Sequence, residues 1–139
     1  MNKASVLLAL FAFTAAPALA ASPAEGLWQT ETNGGQVQIY ECGPALCGKL
    51  VTSNGIKADP NMKDTKNKDA SLRNRPLKDL VLLQGFTGGP SEWKGGSVYK
   101  ADDGKIYKGS MKLVGANQLK LTGCIVAPLC KTQTWTRIK

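Results

Sequence analysis

Side chains able to do chemistry are few in this chain, and the most informative fact about them is an absence: its 139 residues include no histidine. Without imidazole there is no Ser-His or Cys-His nucleophile pair, and no general base that titrates near neutral pH. Four cysteines remain, Cys42, Cys47, Cys124 and Cys130. Whether they pair depends on compartment, and the first residues address that. Lys3, the apolar run Val6–Ala16 and the small-residue site Ala18-Leu19-Ala20 read as a secretory signal peptide over residues 1–20, cut after Ala20. An exported chain meets oxidising conditions, so disulfides are the default. Three pairings are open. The local ones, Cys42–Cys47 and Cys124–Cys130, are favoured because each spans a turn-like stretch, Gly43-Pro44 and Ala127-Pro128. A four-cysteine zinc site would need C-x2-C knuckles, which are missing.

The carboxylates fare no better as catalysts. Glu41 or Glu92 with an aspartate would make a hydrolytic pair, yet nothing in the sequence brings two of them to a defined spacing. Asp59, Asn61, Asp64 and Asp69 do not follow the spacing of a calcium loop. Asp102-Asp103-Gly104 has the composition of a hairpin turn. Gly88-Gly89 and Gly95-Gly96 lie between strand-like runs with no helix to complete a phosphate site. The expectation is a protein that is not an enzyme, with no metal and no cofactor.

The elements that must position these residues are legible from periodicity. In Lys105–Cys124, the residues Tyr107, Gly109, Met111 and Leu113, then Leu119, Leu121 and Gly123, alternate with Lys108, Ser110, Lys112, Lys120 and Thr122 on both sides of Gly115-Ala116-Asn117. Period-2 alternation about a short polar break predicts a β-hairpin with one dry and one cationic face. Earlier come Gly26–Thr32, the Asn33-Gly34 turn, Gln36–Glu41 and Leu46–Thr52. Later come Leu80–Phe86, Trp93–Lys100 and the terminal Thr132–Lys139. Between the third and fourth runs, Gly55–Asp79 is polar and aperiodic, and reads as an exposed loop with no core element. The count is about eight strands with no amphipathic helix. The predicted fold is therefore all-β: a single antiparallel up-and-down barrel over residues 21–139, with one long loop after the third strand. Eight strands enclose just enough room for packed side chains or one small ligand.

A resemblance supports this. Gly26-Leu27-Trp28 is a G-x-W opening the first strand, and Arg137 stands in the last; together they resemble the lipocalin (calycin) superfamily. That resemblance implies that Trp28 packs at the closed end of the barrel under Arg137. The long loop and the missing C-terminal helix depart from the usual lipocalin pattern. More extensively, GLWQTE, ECGPALCGKL, DASLRNRPLKDLVLLQGF, DDGKIYKGSMKL, LKLTGC and LCKTQTWTR are similar to the small exported Gram-negative family called domain of unknown function 2147. Membership implies a lipocalin-like barrel and an envelope location, periplasmic or secreted. It brings no mechanism.

The functional expectation is non-catalytic binding of a small apolar or amphipathic ligand inside the barrel. Candidate lining residues are Trp28, Thr30, Glu41, Gln84, Tyr99, Tyr107, Met111 and Trp135. The alternative is a packed barrel that contacts an anionic envelope component or an acidic protein through the basic loop 57–78. There Arg73 and Arg75 either meet an anion or pair with Asp69 and Asp79. The net charge of +8 suits anionic partners. In an exported chain with dispersed lysines, nucleic acid is not among them, and the leader is too short to leave a membrane span.

Overall fold

The computed structural model describes residues 9–13, 21–126 and 128–139. The expected signal peptide and its cleavage point lie outside the described residues, apart from 9–13, which carry no regular structure. The strands are β1 (Gly26–Gln29), β2 (Gln36–Cys42), β3 (Ala45–Thr52), β4 (Val81–Gly88), β5 (Glu92–Lys100), β6 (Lys105–Leu113), β7 (Gln118–Val126) and β8 (Leu129–Arg137). Each pairs antiparallel with its sequence neighbour, and β8 returns to β1, closing the barrel. Closure removes the unpaired edges that an open sheet of this size would expose.

Local chemistry sets the turns. Asn33 and Gly34 both take positive φ, 51° and 63°, as a primed hairpin turn needs, and Gly35 N–H closes it on the Thr32 carbonyl at 2.9 Å. Disulfides Cys42–Cys47 and Cys124–Cys130 staple the β2–β3 and β7–β8 hairpins. Each closes a loop short enough to contribute about 2 kcal/mol by restricting the unfolded chain.

Inward residues form one core: Trp28, Val37, Ile39, Leu46, Leu50, Leu83, Phe86, Trp93, Met111, Leu119, Leu121 and Trp135 are all buried. On β4 and β5 the alternation slips by one residue. Gly85 (φ 74°) and Gly95 (φ 72°) are each an extra residue in the left-handed region, open to glycine at no steric cost. Leu83 and Phe86 both point inward in consequence, three apart, as do Trp93 and Gly96.

The segment between β3 and β4 differs from the expectation of an exposed loop without core residues. It holds a short helix α1 (Asn54–Ala58), capped by the Ser53 side chain, and a 3-10 turn at Ala70–Leu72, capped by Asp69. Ile56 and Leu77 are buried, as are the polar Asp64 and Asn67. Lys63 and Pro76 form an isolated bridge. The segment is polar overall because it is mostly surface, but four of its side chains are interior.

Candidate functional site

The two ends of the barrel are built differently. At the first, Trp28 is fully buried and its Nε1–H donates to the Ala24 carbonyl at 2.9 Å. Arg137, paired with Trp28 across β1 and β8, lays its guanidinium over the indole at 4.3 Å. Its three nitrogens donate to the carbonyls of Ala116, Glu25 and Pro23, tying the N-terminal segment and the β6–β7 turn across the opening. This end is sealed.

The middle is filled. Gly96 and Gly109 face inward directly opposite one another. A Cβ at Gly109 would lie 2.9 Å from Phe86 and 2.7 Å from Val98, and one at Gly96 would run into the Phe86 ring. The two glycines therefore make room for Phe86 rather than for a ligand. Met111, Leu121 and Trp135 continue the packing.

The second end is open on the side of β6–β8. Here the inward positions Tyr107, Gly123 and Gln133 are only half-buried. Trp135 Nε1–H donates to Gln133 Oε1 at 2.9 Å, and Gln133 Nε2 reaches Thr32 Oγ1 at 3.3 Å, making a polar layer over an aromatic floor. Thr30 lies at this rim, its hydroxyl donating to the Thr32 carbonyl. Tyr107 Oη donates to Asp103 Oδ2 at 2.5 Å, and Lys105 N–H donates to Asp103 Oδ1. That bond raises the Tyr107 phenol above its ordinary value. Burial pushes the Asp103 carboxyl up, but the bonds from Tyr107 and Lys105 with nearby lysine charge outweigh it and hold the carboxyl low. The arrangement groups hydroxyl, amide and aromatic surfaces on half-buried side chains. Among the described residues, no three His, Cys, Asp or Glu side chains gather as a metal site.

Beside this end, the long loop is bolted to β5. The Asp64 carboxylate is completely buried and accepts from Tyr99 Oη (2.5 Å), Asn67 Nδ2 (2.9 Å) and Arg75 Nε (2.9 Å). Burial drives its pKa up; the three hydrogen bonds and the Arg75 charge overcome that and leave it below the ordinary value. Burial, then Asp64 as acceptor, pushes the Tyr99 phenol up to about 12. Arg75 also stacks on the Tyr99 ring at 5.1 Å. The loop backbone at Lys66 rests against Gly104 so closely that no other residue fits that turn.

The candidate lining residues do not assemble as one wall. Trp28, Met111 and Trp135 are core packing, while Tyr107 and Thr30 are half-buried at the open end, each with its own partner, Asp103 and Thr32. Gln84 pairs with Ser97 on the outer face and is exposed, because the slip at Gly85 puts Leu83 and Phe86 inside. Tyr99 pairs with Ile106, also on the outer face, and is buried under the loop rather than inside the barrel. Glu41 lies at the sealed end, exposed, accepting from the Ser22 N–H. Arg75 pairs with Asp64 rather than with Asp69 or Asp79, and Arg73 Nε donates to the Asn67 carbonyl. Both arginines thus hold their own loop. Two shallow concavities lie outside the barrel over β4–β8, one bordered by Lys94, Lys112 and Lys120, the other by Gln84, Ser97 and Lys108.

Comparison with known proteins agrees with this geometry. Residues 26–137 match the family described as an uncharacterized protein conserved in bacteria, DUF2147. The chain belongs to the DUF2147 family. Among solved structures, protein HP1028 of Helicobacter pylori, described as belonging to the lipocalin family, is similar at 25% identity. The match covers 83% of this chain and 82% of that one, with a TM-score of 0.74. No curated protein matches. This DUF2147 member is a lipocalin-like barrel, and its Trp28–Arg137 stack occupies the sealed end that the G-x-W resemblance implied. What the sequence did not reveal was Gln133 as a rim residue and Asp64 as the anchor of the loop. Gln133 was marked only by sharing a face with Trp135. Asp64 carried no local signal, since its decisive partner Tyr99 is 35 residues away.

Proposed function

We propose that this chain is an exported, non-catalytic barrel that takes one small amphipathic ligand at its open end. The observation that carries the reading is the inequality of the two ends. Trp28 and Arg137 seal one, whereas Tyr107, Gly123 and Gln133 leave the other half-exposed above Trp135. Small-ligand sites typically combine apolar lining with a few oriented polar groups, and the residues gathered at the open end supply that mixture. The packed middle limits depth, so the ligand sits in the mouth. Its apolar part lies over Trp135 and Leu121, and its polar head meets Gln133, Tyr107 and the rim lysines Lys105 and Lys131. The absence of histidine and the use of the cysteines in disulfides support a binding role over a catalytic one. The two disulfides, with the leader read from the sequence, support export.

The test is a tryptophan-fluorescence titration with a medium-chain fatty acid below its aggregation threshold. Wild-type emission changes and saturates. Gly123→Leu abolishes the response, and Gly123→Ala, whose Cβ meets Tyr107 at an ordinary 3.4 Å, serves as the folded control with an unchanged melt. No saturable change in the wild type, or an equal change in Gly123→Leu, contradicts the mouth as the site.

A further inference from the structure

The β7–β8 hairpin ends in apolar side chains that no described residue covers. Ile125 is 58% exposed, Val126 64% and Leu129 69%. Lys108 pairs with Cys124, and continuing that register brings Ile106 of β6, 71% exposed, beside Val126. Isolated exposed apolar residues are ordinary, but four gathered on the two faces of one hairpin end and its neighbouring strand are not. The Cys124–Cys130 disulfide holds the two strands of the tip together, so these side chains do not fold back onto the core.

Charge is distributed to match. The strands β6, β7 and β8 contain five lysines and Arg137 and not one carboxylate. Three of those lysines, Lys105, Lys108 and Lys131, are exposed and stand within about two residues of the apolar tip, roughly 7 Å along a strand. The nearest carboxylate of the β5–β6 turn, Asp103, is occupied by Tyr107 and Lys105 N–H.

We infer that this tip docks the protein on an anionic lipid bilayer, with Ile106, Ile125, Val126 and Leu129 entering the acyl boundary and Lys105, Lys108 and Lys131 at the headgroups. Two features favour a bilayer over a protein partner. Four side chains on a two-stranded tip fall well short of the area of a stable protein interface. A short apolar wedge backed by a ring of lysines suits peripheral membrane binding, which needs both signals together. The inference does not depend on the mouth holding a ligand, because vesicle binding is read without one.

The experiment is vesicle flotation of the chain as recovered from the cell, its N-terminus fixed by mass, against phosphatidylcholine alone and phosphatidylcholine with phosphatidylglycerol. Binding is expected to be roughly a hundredfold tighter on the anionic vesicles, at about fivefold per lysine, and to weaken with salt. Lys105→Gln, Lys108→Gln and Lys131→Gln together remove that preference. Val126→Ser with Leu129→Ser weakens binding to both vesicles by about tenfold or more without moving the melting temperature, since both side chains are exposed. Failure to float on anionic vesicles at low salt, or unchanged binding in the serine variant, overturns the inference. So does a dimer in sedimentation that the serine variant dissolves, which would assign the tip to a second copy of the chain.

Discussion

Replacing Tyr99 by Phe tests whether the long loop is an anchored part of the fold. The substitution keeps the ring, its burial and its stack with Arg75, and removes one atom: the Oη that donates to Asp64 Oδ1 at 2.5 Å. Asn67 and Arg75 both address Oδ2, so Oδ1 is left without a donor inside the protein. A hydrogen bond to a buried charged group is worth about 1.5–3 kcal/mol, and an abandoned buried acceptor keeps its desolvation cost. A loss of about 2 kcal/mol is expected, which for a barrel of this size lowers the melting temperature by about 8 °C. The pH dependence supplies a second readout. With Tyr99 gone, one of the causes lowering the Asp64 pKa is gone while burial still raises it. Acid unfolding of the variant therefore begins at higher pH. A circular dichroism melt across the acid limb reads both effects, and a cycle with Asp64→Asn measures their coupling. A melting temperature within about one degree of wild type, with an unmoved acid midpoint, would refute the loop-anchoring account.

Gly96→Ala is expected to cost about 3 kcal/mol, because its Cβ collides with the Phe86 ring, and Phe86→Leu in the same chain should recover part of that loss in a denaturant titration. Arg137→Ala removes a stack on Trp28 and three donors to carbonyls; about 2–3 kcal/mol is expected, and Arg137→Lys should not restore it, since an ammonium supplies neither the plane nor the fork. In wild type, Asp64 has a folded pKa below its ordinary 3.8, so its stabilisation is complete above that value and is lost as pH falls through the folded pKa. Tyr99 runs the other way: its stabilisation is complete below its ordinary 10.0 and is lost as pH rises toward about 12, giving an alkaline limb that Tyr99→Phe removes.

Much of the barrel was legible because most strands have one wet face. From Lys105 to Cys124, lysine, serine and threonine alternate with apolar residues, and that hairpin formed as β6 and β7 in the expected phase. Asn33-Gly34 marked its own turn, and the cysteines bracketed the hairpins they staple. The phase failed where a strand has two dry faces. Leu80–Leu83 is a continuous apolar run, and Tyr99 is outward yet buried because the loop covers it, so polarity no longer distinguishes inside from outside. The glycine bulges then shift the phase of both β4 and β5, so that Leu83, Phe86 and Val98 are inside and the expected Gln84 and Tyr99 are not. The first strand ends at Gln29 rather than Thr32, since Thr30 and Thr32 turn toward one another at the rim. The loop hid its interior residues for a different reason. A buried carboxylate is recognised by its partners, and Tyr99 joins Asp64 only through tertiary structure.

The mouth is the central claim, and native mass spectrometry of the protein isolated from its own cells addresses it most directly. The account predicts a second species heavier by the mass of one small amphipathic molecule, present in wild type and missing from Gly123→Leu. Recovery of the bare chain alone from both, with no adduct after addition of fatty acids or isoprenoids, would contradict it.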